Sequence, residues 1–198
     1  MRKTKTVKKI KESITLDEFK RLMRYTQGDD TIRANTKQNF LRAFVILFYT
    51  GLRLNEVQEL RVKQIKELVE NGQTKIILSK THNERKLFAT DEFKRELKKL
   101  FDFTKEDLEN RVIAKGSDKN NRTGINHIVF ISAINKQIKK ALGDGFTSHS
   151  FRQGLITEMA SKGVNTKVIA GFINHKNVST TLRYVKPTDE IIANAMIR

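Results

Sequence analysis

Apolar residues recur along this chain with two different periods. At 15-TLDE-18 a capping signature precedes Leu16, Phe19, Leu22 and Met23, which fall on one helical face. The polar stretch 27–36 predicts a loop. Residues 36–49 are dense in apolar side chains and predict a central, buried helix. The glycine of 50-TGLR-53 breaks it, and a short helix is expected from about Asn55. The period then shortens. The segments 65-IKELVE-70 and 74-TKIILS-79 flank Asn71-Gly72, a hairpin signal, and 85-RKLFAT-90 follows a second turn at 81-THNE-84.

Helical spacing resumes at 91–101 and 104–110, and the polar, glycine-bearing stretch 114–124 predicts a loop. Ile128, Ile131, Ile134, Ile138 and Leu142 mark a further amphipathic helix. The next helix carries 149–163, buries Phe151, Leu155, Ile156 and Met159, and ends at Gly163. Asn165 caps a short helix through Ile173, Ser179 caps one bearing Tyr184, and an apolar piece, 191-IIANAMIR-198, closes the chain. The expected fold is mainly α with a small three-stranded antiparallel sheet, an α+β class. Residues 1–13 read as a basic arm and 14–198 as one domain without internal repeats.

The length of 198 residues suits this single-domain reading, and the absence of cysteine removes disulfide frameworks and thiolate metal sites. The longest apolar run, 43-AFVILFY-49, is far too short to span a bilayer. The N-terminus is basic and lacks the apolar core of a signal peptide. A non-secreted, cytoplasmic protein is expected. A formal net charge of +17 implies a polyanionic partner. Nucleic acid fits better than a membrane surface, since no long basic helix carries aromatic anchors.

Four stretches place charged or nucleophilic groups beside structural punctuation. In 50-TGLRLNEVQEL-60, Arg53 follows the glycine turn, and Glu56 faces it from the same helical turn. A guanidinium forks onto two phosphate oxygens, although an isolated Arg-x-x-Glu is more often a surface ion pair. In 76-IILSKTHNERKLF-88, Lys80 stands at a strand end just before a turn, one lysine among many. In 147-TSHSFRQG-154, His149 and Arg152 share a helix face, although a histidine at a helix start commonly serves packing. In 170-AGFINHKNVSTTLRYVK-186, His175 precedes Tyr184 by nine residues, and Tyr184 is one of three tyrosines.

In order and spacing these stretches resemble the catalytic domain of tyrosine recombinases, the phage-integrase-like family. Lys80 lies 27 residues after Arg53, Arg152 lies 72 after Lys80, and Tyr184 lies 32 after Arg152. The resemblance covers nearly all of 14–198. It implies that Tyr184 is the nucleophile, Arg53 and Arg152 bind the scissile phosphate, and Glu56 supports the site. It makes Lys80 a general acid on the leaving 5′ oxygen, His149 a proton-transfer or orienting group, and His175 a hydrogen-bond donor to the phosphate. Relatives usually carry histidine after the second arginine, where this chain has Gln153, and Leu-Gly-His where it has Ile173-Asn174-His175.

The implied activity is site-specific recombination through a 3′-phosphotyrosyl link and a Holliday junction. The implied partner is double-stranded DNA, bound by a homo-tetramer on two sites, with a monomer possible without DNA. No cofactor and no metal are expected, because cationic side chains supply the charge stabilisation. No separate core-binding domain precedes Thr15, so the chain reads as a catalytic fragment or a minimal single-domain enzyme. The tail, about 188–198, docks either on a neighbouring subunit or in cis. Alternatives are a type IB topoisomerase, a non-catalytic DNA-binding protein of the same fold, and a basic RNA-binding module. The last lacks aromatic RNP-like strands or a G-x-x-G loop.

Overall fold

A computed structural model of the chain describes residues 12–77, 84–115 and 123–174. Their order is α1 (Leu16–Gly28), α2 (Ala34–Thr50), α3 (Leu54–Glu59), α4 (Val62–Asn71), β1 (Gln73–Ile77), β2 (Glu84–Phe88), α5 (Asp91–Leu100), α6 (His127–Leu142), α7 (Ser148–Ser161) and α8 (Thr166–Phe172). Lys80, His175, Tyr184, the Ser179 cap, most of the basic arm and the C-terminal tail lie outside the described residues.

The expected capping box opens α1. The Thr15 N–H donates to Glu18 Oε2 at 2.6 Å, and the Glu18 N–H reaches back to Thr15 Oγ1 at 3.5 Å. The α2 helix is the hub, packing against α1, α3, α5 and α7. Phe44, Val45, Ile46 and Leu47 are fully buried on consecutive positions, so the helix is enclosed on all sides at its centre. Ile156, Ile169 and Ile173 form a second, smaller apolar cluster that seats α8 on α7.

Three expectations need correction in detail. Segment 65–70 is part of α4, so the described sheet has two antiparallel strands, with Gln73 opposite Phe88 and Ile76 opposite Arg85. Val62, Ile65 and Leu68 are fully buried at helical spacing. Gly72, at φ 72°, ends that helix in the left-handed region, a role that the pair Asn71-Gly72 serves as readily as a hairpin turn.

Segment 104–110 forms turns rather than a helix. The carboxylates of Asp102 and Asp107 capture the N–H groups of Thr104 (3.2 Å) and Glu109 (2.8 Å), competing with helical bonding. On α6 the buried stripe is Phe130, Ile134, Ile138 and Ala141, while Ile128, in the first turn, is 76% exposed.

The segment before α1 lies along α7. The Ile14 N–H donates to the Ser150 carbonyl oxygen at 3.1 Å. Gly154 permits this approach, because a Cβ there would sit 2.2 Å from the Ile14 carbonyl oxygen.

Candidate active site

The site is built on the turn between α2 and α3. Gly51 ends α2 with φ 59°, and its N–H donates to the Leu47 carbonyl oxygen at 3.0 Å. Thr50 locks the turn from inside. Its hydroxyl donates to the Ile46 carbonyl oxygen at 2.6 Å and accepts the Leu52 N–H at 3.2 Å. The chain leaves the turn at Arg53, the N-cap of α3.

Glu56 does two jobs there. Its Oε2 accepts the Arg53 backbone N–H at 2.8 Å, satisfying a helix-start donor. Its Oε1 accepts from Arg53 Nη1 at 2.9 Å. The carboxylate is 6% exposed while the Arg53 side chain is 47% exposed, so a buried anion holds an accessible cation by one edge. A guanidinium has five N–H donors, and its other edge is available to an anion.

Arg152, on the first turns of α7, is 1% exposed. Its Nη1 donates to the Gly51 carbonyl oxygen at 2.7 Å, and its Nη2 donates to the carbonyl oxygen of Ile173. One guanidinium therefore joins the turn that carries Arg53 to the end of α8, the segment that leads to His175. Next along the chain is Asn174, in the left-handed region at φ 53°. Asparagine enters this region more readily than most residues other than glycine.

His149 lies one helical turn before Arg152 and is exposed. Its N–H donates to the N-cap hydroxyl of Thr147 at 3.3 Å. Of the residues singled out in the sequence, Arg53, Glu56 and Arg152 meet at the turn, and His149 shares its helix with Arg152.

Sequence reasoning passed over Arg85. It occupies an inward position of β2, is 4% exposed, and donates from Nη2 to the Thr50 carbonyl oxygen at 2.7 Å. Its Nη1 lies 3.7 Å from Glu56 Oε2. The available signal was alternation, since Arg85 and Leu87 share one face of β2. A cleft of about 230 Å³ opens beside it, with Phe172 and Asn174 also in the lining. Both buried arginines thus grip consecutive carbonyls of one turn, those of Thr50 and Gly51.

Residues 12–190 match the family model described as the phage integrase family. The chain is 29% identical over 147 residues to tyrosine recombinase XerC of Lactobacillus delbrueckii subsp. bulgaricus, covering 72% of this chain and 49% of that protein. It is 26% identical over 184 residues to a tyrosine recombinase of Thermosipho africanus, covering 92% and 60%. The chain thus spans about half to three fifths of the length of these curated relatives.

Among solved structures, XerA recombinase superposes with a TM-score of 0.71 at 19% identity, covering 96% of this chain and 67% of that one. The Tn1549 transposon integrase in complex with transposon right end DNA gives 0.71 at 19%, covering 96% and 66%. These likenesses establish the fold. With the family model matching nearly the whole chain, the protein belongs to the phage integrase family.

Proposed function

We propose that the protein is a site-specific recombinase that cuts and rejoins double-stranded DNA through a 3′-phosphotyrosyl intermediate. The observation that carries the reading is the shared turn. Arg152 docks on Gly51 across 101 residues of sequence, two positions before the accessible guanidinium of Arg53. Preorganised cations of this kind stabilise negative charge as it develops on phosphorus.

In this reading Tyr184 Oη bonds to the scissile phosphorus while the bond from phosphorus to the 5′ oxygen breaks. Lys80 gives its proton to the departing oxygen, and His149 takes up the phenolic proton. His175 donates a hydrogen bond to a non-bridging oxygen. Attack by a 5′-hydroxyl from a partner duplex reverses the step, so rejoining needs no nucleotide hydrolysis. Residues 14–198 act as the catalytic domain behind a basic arm, four copies act on two DNA sites, and the chain works on DNA in the cytoplasm. The burial of Arg152 adds a requirement. A phosphate meets Arg53 first and reaches Arg152 only when the groups enclosing it are displaced.

Tyr49 supports the choice of Tyr184 by contrast. Burial raises the Tyr49 phenol well above its ordinary range, and the Glu92 and Glu96 carboxylates raise it further. A nucleophilic phenolate needs the opposite surroundings.

Covalent trapping tests the proposal. The full chain is incubated with a randomised library of nicked duplexes, and detergent-resistant protein–DNA adducts are recovered and sequenced. Tyr184→Phe is expected to bind the recovered duplex and form no adduct; an adduct that survives this change excludes Tyr184. Relaxation of supercoiled plasmid without junction formation would favour the topoisomerase reading instead.

A further inference from the structure

The strand β2 turns alternate residues toward the core, and one of them is a cation. Burying a guanidinium removes its hydration and is tolerated only where partners replace it. Arg85 is incompletely compensated. It has the bond to the Thr50 carbonyl oxygen, the Glu56 carboxylate at 3.7 Å and the Phe172 ring, whose centroid lies 5.5 Å from its guanidinium carbon. Its Nε and Nη1 have no hydrogen-bond partner among the described residues. Burial pushes this guanidinium down to about 10, and Arg53 pushes the same way against Glu56. It therefore stays charged at neutral pH.

An apolar residue of similar volume often fills such a position at no loss of stability. What an apolar residue cannot do is span three elements. Arg85 connects β2, the α2–α3 turn and the end of α8, and it flanks the same carboxylate that holds Arg53. Glu56 is thereby fixed between two cations, one buried and one accessible.

We propose that Arg85 is a positioning residue: it fixes the Glu56 carboxylate, and through it the outward guanidinium of Arg53, while tying the strand pair that flanks Lys80 to the phosphate-binding turn. The inference rests on the reading of Arg53 as a phosphate ligand. The arginine fork faces the Thr50 carbonyl and the Glu56 carboxylate from two different nitrogens, where lysine offers one compact point charge.

The test compares the full-length wild type with Arg85→Met and Arg85→Lys by two independent readouts. The first is side-chain ¹⁵N NMR of the Arg53 Nε–H, which reports its order without DNA. The second is the rate of adduct formation on the nicked duplex recovered by the wild type. Arg85→Met is expected to fold, to lose the ordered Arg53 signal, and to form adduct at least about tenfold more slowly. Arg85→Lys keeps the charge and is expected to show the same loss in milder form. A merely structural cation would be replaced by lysine, so wild-type Arg53 order and adduct rate in Arg85→Lys overturn the proposal, also where Arg85→Met fails to fold. If the wild type forms no adduct, the recombinase reading fails, and the NMR comparison still decides whether Arg85 orders Arg53.

Discussion

Arg152 Nη1 lies 2.7 Å from the carbonyl oxygen of Gly51, although 101 residues separate the two in the chain. The contact exists because Gly51 ends α2 in a left-handed conformation, which leaves its carbonyl outside the helical ladder. Phe44 on α2 and Phe151 on α7 stack with centroids 5.8 Å apart and hold the two helices at that separation. The geometry of this turn is thus set by an ordinary helix contact and one glycine.

Gly51→Ala should damage this turn doubly. A Cβ would stand 2.9 Å from Leu155 Cδ2, and φ 59° strains any L side chain. A loss of roughly 1–3 kcal/mol is expected in urea denaturation. A change below about 0.5 kcal/mol would mean that the turn adapts more freely than its packing implies.

Asn174 makes the converse case. It already holds φ 53°, so Asn174→Gly should alter stability by no more than about 1 kcal/mol in either direction. Asn174→Val places a β-branched residue in the left-handed region and should cost about 1–2 kcal/mol. Equal stabilities for the two variants would argue that the conformation is not required.

Tyr49 predicts an alkaline limb. Its phenol is raised above the ordinary value of 10.0, first by burial and then by Glu92 and Glu96. The folded state therefore holds this proton more tightly than the unfolded chain does. The associated stability is fully present below pH 10 and is lost as pH climbs toward the raised value. Denaturation measured between pH 8 and about 12 should show this loss in the wild type and a smaller one in Tyr49→Phe. Identical profiles would remove Tyr49 as its source.

Three helix starts were legible from a local side-chain bond, whereas the start of α4, where the Arg61 N–H donates to Gln64 Oε1 at 2.8 Å, was missed. The Thr15–Glu18 box, the Asn165 cap and the short helix after Arg53 depend on partners within three residues. The misread strand at 65–70 marks the limit of such signals. Ile65 and Leu68 stand three apart, a helical spacing, but Gly72 in the left-handed region ends a helix or turns a hairpin with the same backbone angles, and the Asn71-Gly72 pair outweighed the spacing. Packing of that stripe against α5 and β1 agrees with the helical spacing.

The chain order of Arg53, Lys80, His149, Arg152, His175 and Tyr184 was visible in one dimension, as were the charge and the family resemblance, because residue types and spacings survive without coordinates. That Glu56 is buried between Arg53 and Arg85, and that two arginines share one turn, was decided in three dimensions. A charged residue in a sequence carries no mark of the carbonyl or carboxylate it will meet. Those partners arrive from distant segments, and long-range burial of the core, rather than any local preference, brings them within bonding distance.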